Sequence, residues 1–287
     1  MKINVEFPYA DFFDGCGIKK GDIVDVAADI RSLMLTARKE HWIFDGQHLI
    51  DALKDLVGHE GTLMLRVFNW DFCHGEGFDM RTSPSRVGSL GNFALKRDDF
   101  IRTKHPLYSW MVWGKYAQEL AAMNNKAAFG KKSPWEFVYD NDGLLLNFGR
   151  TEVTGFTYAH YIEEGENMPY RFSKNFKGEY TDASGNKTVR EYSMYVRYLD
   201  YDIYTDLYPE VLEELYQKGA VTKKTFRDLP LWSVKLREAI DYVRDDLKHN
   251  TGKKTCVLNG LKGYGYALEH PPKLKDLNQT EDPNKKC

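Results

Sequence analysis

The sequence has few of the features that mark disulfide, zinc or membrane proteins. Its 287 residues include only 4 cysteines, and no two of them form a Cys-x-x-Cys pair, which argues against zinc ribbons and thioredoxin-like chemistry. We therefore expect reduced thiols in a cytoplasmic protein, and no metal site. No apolar run approaches about 18 residues, so no segment is predicted to span a bilayer. The stretch "MKINVEFPYADFFD" becomes acidic too early for a signal peptide.

Net charge is also nearly absent. Lys and Arg number 40 against 42 Asp and Glu, which gives a formal net charge of −2. Such a chain has no general basic field to hold nucleic acid or an anionic membrane, so any anion-binding site has to be local. Aromatic residues are plentiful instead, with 18 Tyr, 16 Phe and 6 Trp. They predict an aromatic core and favour concave surfaces lined by rings.

The early part of the chain predicts a parallel β–α–β unit. "GDIVDV" has the character of a turn followed by a strand, because it combines a Gly-Asp pair with β-branched residues. "HLIDALKDLVG" carries a helical stripe of apolar residues and ends at Gly58, a good helix C-cap. "GTLMLRVF" then predicts a buried strand. Together they indicate an α/β layer architecture.

Further along, the pattern changes several times. Residues 69–106 are rich in loop signals, and a loop of this length in a compact domain is usually functional. "SWMVWGKYAQELAAM" predicts a helix, and "GLLLNFG" predicts another buried strand. Alternating aromatic and polar residues over about 172–204, around the turn Ser184-Gly185-Asn186, predict a β-hairpin. Residues 205–250 are predicted to be helical.

The stretch "FTYAHYIEEG" has the composition of a catalytic site. It places His160, one of only 8 histidines, three residues before Glu163. On a helix this spacing puts both side chains on one face, where the carboxylate can hold an imidazole that accepts protons at neutral pH. A buried structural histidine near the start of an amphipathic helix explains the same residues, so both interpretations stay open at this point.

Several blocks, in order, resemble the aminoglycoside 3-N-acetyltransferase family over about residues 15–175. "IRTKHPLYSWMVWG" is similar to the family signature R-S-x-H-P-x-x-S-x-x-x-x-G, and "FTYAHYIEE" to its T-x-x-H-x-x-E block. "KKGDIVDVAADIRSL", "LIDALKDLVGHEGTLML", "SPSRVGSLGNFALKR" and "KKSPWEFVYDNDGLLLNFG" are similar to others. Two departures occur: Ala27-Ala28-Asp29-Ile30 replaces His-Ser-Ser-Leu, and Arg102-Thr103 replaces Arg-Ser. Ordered blocks are a specific signal, although each alone is weak.

The resemblance implies a layered α/β/α sandwich with a central mixed sheet, to which this chain adds a β-hairpin and a helical C-terminal elaboration over about 172–250. We expect a single domain over 1–270 and a polar tail over 271–287. The implied activity is acetyl-CoA-dependent N-acetyl transfer to an amino sugar, either nucleotide-linked or aminoglycoside-like. The implied role is polysaccharide biosynthesis or antibiotic resistance.

The expected partners are CoA and a small-molecule acceptor, without nucleic acid or membrane, and a homodimer stays open. The alternative is a catalytically silent sugar-binding or assembly protein on the same fold, which the altered 27–30 turn favours. A bound amine acceptor is a cation before it loses its proton, so acids should line its cleft. The candidates in the long loop are Asp71, Glu76 and Asp79, which can equally be solvated loop charges.

By the resemblance, His160 is the general base and Glu163 holds and stabilises its ring. Thr157 is expected to donate to a carbonyl oxygen that gains charge, or else to cap the helix. Direct attack in a ternary complex is favoured over an acyl-enzyme. The adjacent Cys73 and His74 would point to opposite faces of an extended chain and could not act as a pair.

The expected cofactor contacts are Asp29, Ile30, Ser32, Arg102, Thr103 and Ser109. Arg102 is the candidate for a CoA phosphate, because guanidinium binds phosphate through two N–H groups. Ser109 is expected to open a helix whose free N–H groups favour anions, although a plain helix cap fits as well. Asp29 and Ser32 follow the first strand, where open α/β sheets place ligands. The glycines of "GLKGYGYAL" lack a P-loop context and predict a turn.

Overall fold

The structure is a computed structural model that describes residues 5–150 and 155–273. In these stretches the helices are α1 Tyr9–Phe13, α2 Ile30–Lys39, α3 Gly46–Val57, α4 Ser89–Ala94, α5 Ala117–Ala122, α6 Pro134–Asp140, α7 Tyr158–Gly165, α8 Pro209–Gln217, α9 Leu236–Asn250 and α10 Gly265–Glu269. The strands are β1 Val5–Glu6, β2 Ile23–Ala28, β3 Trp42–Ile43, β4 Thr62–Phe68, β5 Phe78–Asp79, β6 Ile101–Arg102, β7 Tyr108–Gly114, β8 Leu144–Phe148, β9 Arg171–Thr181, β10 Lys187–Arg197, β11 Ile203–Thr205, β12 Val221–Phe226, β13 Leu229–Lys235, β14 Cys256–Leu258 and β15 Leu261–Lys262. No helix in the described part of the chain is long and apolar enough to cross a bilayer. From residue 274 onwards the predicted tail lies outside the described residues. The single domain over 1–270 stays a prediction.

A mixed sheet of seven strands forms the centre of the described chain, in the order β12-β13-β8-β2-β4-β7-β6. β2 is parallel to both β4 and β8. β7 pairs antiparallel with β4, and β13 pairs antiparallel with β8. The predicted α/β class with a central mixed sheet is confirmed, and so is the parallel β–α–β start.

Side chains of the central strands alternate between two apolar cores, one on each face of the sheet. Along β4, Leu63, Leu65 and Val67 enter the core that α2, α3 and α4 cover. Met64 and Phe68 enter the opposite core, which contains residues of α6, α7 and α9. Helices therefore cover both faces of the sheet, as a layered α/β/α arrangement requires.

The predicted hairpin is present as β9 and β10, which are 11 residues long and pair along their whole length. Asp182 closes its turn by accepting the backbone N–H groups of Ser184 and Asn186. Tyr180 and Tyr192 anchor the hairpin because both rings are buried in the core beside α7.

Two regions predicted as helix contain strands as well. The first half of "SWMVWGKYAQELAAM" lies in β7, and only Ala117–Ala122 is helical. In the predicted helical region 205–250, Val221–Phe226 and Leu229–Lys235 form β12 and β13, so helix α9 begins only at Leu236. Local patterns do not separate a short buried strand from a buried helix. In both places the pairing with a sequence-distant strand, β4 or β8, decides the conformation.

Helix α4 approaches β4 so closely that a side chain at Gly91 has no room. A Cβ at this position would lie 2.2 Å from the carbonyl oxygen of Arg66. Gly91→Ala is therefore expected to lower the free energy of unfolding by about 1–3 kcal/mol through overpacking, as measured by urea denaturation. Gly265→Ala is the control, because nothing lies within 4 Å of its Cβ position. Equal losses in the two variants would contradict the prediction.

Candidate active site

A cavity of about 540 Å³ lies at the carboxyl ends of β2, β4 and β8. Its wall combines apolar side chains with three guanidinium groups and an imidazole. The lining consists of Val26, Ala27, Ala28, Arg66, Phe68, Trp70, Arg86, Val87, Gly88, Leu90, Gly91, Tyr108, Asn147, Arg150, Gly155, Thr157 and His160. Open α/β sheets bind ligands at the carboxyl ends of their parallel strands, so this cavity is the candidate active site.

His160 lies in the first turn of α7 and lines the cavity with a side chain that is 32% exposed. Its Nδ1 is 2.9 Å from Oε2 of Glu163, so the structure brings together the two residues that the helical spacing paired. Because an ionised carboxylate only accepts hydrogen bonds, Nδ1 carries a proton, and in the neutral imidazole Nε2 therefore has the lone pair. The ring of Phe129 packs against the imidazole, with the two ring centroids 5.4 Å apart.

Glu163 is fully buried under this imidazole. Nε of Arg171 forms an ion pair with its carboxylate at 2.7 Å, and the hydroxyls of Thr205 and Tyr170 donate to it at 2.7 and 3.2 Å. Burial favours the neutral acid, but the charge of Arg171 and the hydrogen bond from His160 outweigh it and lower the pKa of Glu163 to about 2. The carboxylate is therefore ionised at neutral pH.

Thr157 precedes α7 without capping it, because its backbone is already helical and its side chain makes no cap hydrogen bond. Its hydroxyl donates to the carbonyl of Gly155 at 3.1 Å. Nη1 of Arg66 donates to the same carbonyl at 3.3 Å and to Oγ1 of Thr157 at 3.4 Å. The capping interpretation is therefore wrong, and Thr157 lies in the cavity wall.

Arg66 is a cavity residue that the motif blocks do not mark. It lies on β4, and its Nη2 is 2.7 Å from Oδ2 of Asp25 on the neighbouring strand β2. Nε1 of Trp110 donates to the other oxygen of this buried carboxylate at 3.0 Å. The sequence signal was the single charge within the apolar run "GTLMLRVF", since a buried arginine needs a partner.

The turn after β2 contains Asp29, which caps the N-terminus of α2. The Asp29 carboxylate accepts the N–H of Arg31 at 3.1 Å and the hydroxyl of Ser32 at 2.8 Å. Ile30 is buried in the core. The preceding Ala27-Ala28 pair lines the cavity, whereas these three predicted cofactor residues do not. Their contact with a cofactor stays a prediction.

Arg102 is bonded inside the fold instead of facing the cavity. It is 5% exposed, and its Nη1 donates to the carbonyls of Ser83 at 2.7 Å and Met80 at 3.2 Å. Its Nε donates to the hydroxyl of Ser109 at 3.0 Å. Burial lowers the pKa of this guanidinium to about 10. Arg102 therefore ties the segment 80–83 to strands β6 and β7, and the expected contact with a CoA phosphate does not fit its position.

The neighbours of Arg102 are buried as well. The hydroxyl of Thr103 accepts the N–H of Trp110 at 3.0 Å. Ser109 lies in strand β7 and donates to the carbonyl of Val67 at 3.0 Å, so the prediction that it opens an anion-binding helix is wrong. Neither side chain lines the cavity.

The three loop acids also lie outside the cavity wall. Asp71 forms an ion pair with Arg86 at 2.7 Å, and Arg86 lines the cavity. Asp79 pairs with Arg81 at 2.7 Å, and Glu76 is exposed. Only Asp71 thus approaches the cavity, through its arginine partner.

The Cys73-His74 pair lies in a 3₁₀ turn, Asp71–His74, and not on an extended chain as expected. Neither residue lines the cavity. Within the residues that the structure describes, no group of three or more His, Cys, Asp or Glu side chains could hold a metal ion.

Comparison with known proteins gives a consistent result. A family model described as aminoglycoside 3-N-acetyltransferase matches residues 34–248. The aminoglycoside acetyltransferase AAC(3)-Xa superposes with a TM-score of 0.68 at 19% identity, over 84% of this chain and 91% of that one. AAC-IIIb in a binary complex with CoASH gives 0.68 at 18%, over 84% and 95%. Sisomicin-bound AAC-VIa gives 0.70 at 17%, over 86% and 99%. At these identities the solved structures establish a shared fold.

Proposed function

The chain belongs to the aminoglycoside 3-N-acetyltransferase family and is an acyltransferase, and from this premise we propose that it transfers acetyl from acetyl-CoA to an amine of an amino sugar. The observation that carries the proposal is the His160–Glu163 pair in the wall of the cavity. The ligands of the similar structures, CoASH in AAC-IIIb and sisomicin in AAC-VIa, agree with this donor and this acceptor class.

His160 acts as the general base in this proposal. An amine attacks an acyl group only through its free electron pair, so its proton has to leave. Nε2 of His160 holds the lone pair that accepts it, because Nδ1 is engaged by Glu163. The ionised carboxylate of Glu163 stabilises the imidazolium that forms. Because Arg171, Thr205 and Tyr170 hold this carboxylate in place, its hydrogen bond to Nδ1 keeps the ring in one orientation.

Acetyl-CoA supplies an acyl group that is already activated as a thioester, so the protein has to position the reactants and move a proton. The C–N bond forms and the C–S bond breaks, and CoA leaves as a thiolate that takes up the proton collected by His160. Thr157 lies in the cavity wall three residues before the base. We assign its hydroxyl to donate to the acyl oxygen as that atom gains negative charge. The described lining contains no cysteine, and direct transfer needs none.

Arg86 and Arg150 replace Arg102 as the proposed CoA phosphate ligands, because both line the cavity. The Arg86 side chain is 54% exposed, so its guanidinium is accessible to a ligand. Arg86→Met is expected to raise the Kd for CoA about tenfold, since a hydrogen bond to a charged group contributes roughly 1.5 kcal/mol. Isothermal titration calorimetry measures this change.

Arg81→Met is the matched control for Arg86→Met. Arg81 is 50% exposed and forms an ion pair of the same 2.7 Å length, but it does not line this cavity. Its substitution should leave the Kd unchanged. An equal loss of affinity in both variants would show that Arg86 has no specific part in binding CoA.

The function is tested by incubating the protein with acetyl-CoA and a panel of amino sugars and aminoglycosides, with thiol release as the readout. Each acceptor is paired with an analogue that carries hydroxyl in place of the amine. We expect thiol release that depends on the amine, and an acetylated product with a new amide. Thiol release that ignores the amine would contradict amine acetylation.

Binding of CoA separates this proposal from a catalytically silent sugar-binding protein. A ligand that binds only the folded state raises the melting temperature. The enzyme should show a rise that saturates with CoA concentration, whereas the absence of any rise would favour the silent alternative.

A further inference from the structure

We propose that Arg66 is a positioning residue for acetyl transfer: it is anchored by the buried Asp25 and orients the hydroxyl of Thr157 at the start of α7. This inference rests on the proposed function, because it concerns how that same site is set. It adds a second charged pair to the site, separate from the His160–Glu163 pair.

The anchor is a buried ion pair across two parallel strands. The side chain of Arg66 is 9% exposed and that of Asp25 is fully buried. Nε of Arg66 lies 3.1 Å from both carboxylate oxygens, and Nη2 lies 2.7 Å from one of them. Trp110 on β7 donates to the same carboxylate at 3.0 Å. The guanidinium is thus fixed relative to three strands of the central sheet.

Such a pair is a costly way to stabilise a sheet. Removing two charges from water costs about as much as their attraction returns, and apolar residues in the same place often do as well. Arginine cannot escape the cost by losing its proton. A role beyond stability therefore explains the pair better, and the free end of the guanidinium shows where that role lies.

The remaining nitrogen of the guanidinium, Nη1, faces the start of α7. Nη1 of Arg66 donates to the carbonyl of Gly155 at 3.3 Å and to Oγ1 of Thr157 at 3.4 Å. The carbonyl of Thr157 in turn accepts the N–H of His160 at 3.0 Å. A shift of Arg66 would therefore reach the turn that carries the proposed base.

The contact also bears on which way the Thr157 proton points. The hydroxyl donates to the Gly155 carbonyl at 3.1 Å, and Arg66 donates to that same carbonyl. A hydroxyl whose oxygen accepts from a cation is a stronger donor, because hydrogen bonds in a chain polarise one another. Because Arg66 also donates to the Gly155 carbonyl, it weakens the hydrogen bond from the Thr157 hydroxyl to that carbonyl. The hydroxyl can then rotate and donate towards the cavity.

A double-mutant cycle tests the coupling. Arg66→Met and Thr157→Val are each expected to lower kcat about a hundredfold, the size of losing one donor to a developing negative charge. If Arg66 acts through Thr157, the kcat of the double variant should lie within about threefold of the kcat of the less active single variant. The KM for acetyl-CoA should change far less than kcat, since neither contact is assigned to binding.

Arg97→Met is the matched control for loss of an arginine ion pair. Arg97 is 17% exposed and pairs with Asp51 and Asp99 at 2.8 Å, but it does not line the cavity. Its substitution is expected to lower the melting temperature and to leave kcat unchanged. A fall in kcat that follows melting temperature in the same way for Arg66→Met and Arg97→Met would overturn the positioning role.

The remaining outcomes are equally decisive. Losses that multiply in the double variant would overturn the inference, because Arg66 would then act independently of Thr157. If Arg66→Met does not fold, the cycle is run with Arg66→Lys, which keeps the charge beside Asp25 but lacks the guanidinium fork. A wild-type protein without turnover would contradict the proposed function, whereas an active wild type with additive variants would contradict only this inference.

Discussion

The His160→Ala variant should lose about 10²–10⁴-fold in kcat for acetyl transfer, the usual contribution of a positioned general base. In the proposed mechanism the neutral imidazole at the cavity wall accepts the amine proton through Nε2, because Glu163 engages Nδ1. Without it the amine proton must go to water. The loss should appear in kcat measured by thiol release at saturating acetyl-CoA and acceptor.

The fold should tolerate this substitution, since the His160 side chain is 32% exposed. A melting temperature close to that of the wild type and an unchanged Kd for CoA would separate loss of chemistry from loss of structure. His249→Ala is the control, because that side chain is 71% exposed and lies on α9. Turnover in His160→Ala within about threefold of the wild type would exclude general-base catalysis by this residue.

The core of the site was predictable because it is local. His160 and Glu163 lie three residues apart, and helical geometry alone brings such residues together. The structure adds that Thr205, 42 residues away from the carboxylate in sequence, also donates to it. No local pattern marks this partner, since strand β11 meets α7 only in the folded chain.

The Asp25–Arg66 pair was hidden for the same reason. Both residues lie within apolar strands, 41 positions apart, and their contact depends on the parallel register of β2 with β4. The two strands were predicted, but a shift of one residue would turn the side chains to opposite faces. A sequence can thus suggest that a buried charge needs a partner without naming the partner.

Arg102 shows the opposite error, in which a local feature suggested too much. Its position beside a family-like motif indicated a cation for phosphate, yet loop carbonyls bind the guanidinium in the fold. Exposed and buried arginines look alike in sequence. Arg102 is buried here because it lies in strand β6, where the carbonyls of Met80 and Ser83 accept hydrogen bonds from its guanidinium.

Glu163→Gln is the second substitution with a large expected effect, and it should act on both stability and turnover. The amide removes the negative charge that faces Arg171, whose side chain is 8% exposed. Breaking a buried pair on one side typically costs about 3–5 kcal/mol, because the remaining charge has no compensation. Urea denaturation at pH 7 measures this loss. Turnover falls as well, since an amide does not stabilise the imidazolium of His160.

The pH dependence of that loss separates the charge from the shape of the side chain. Folding lowers the pKa of Glu163 from its ordinary value of 4.5 to about 2. A carboxyl group whose pKa is lowered by folding stabilises the fold fully above its unfolded pKa, here about pH 4.5. This stabilisation is lost as the pH falls towards the folded pKa of about 2. The difference in unfolding free energy between wild type and Glu163→Gln should therefore shrink over that window. Glu166→Gln is the control, because that residue follows α7 as its C-cap, its carboxylate is 19% exposed, and it pairs with Arg244 at 3.1 Å and Lys248 at 3.3 Å. A Glu163→Gln difference that stays constant from pH 7 to about pH 3 would show that packing, and not the ionisation of Glu163, accounts for its contribution to stability.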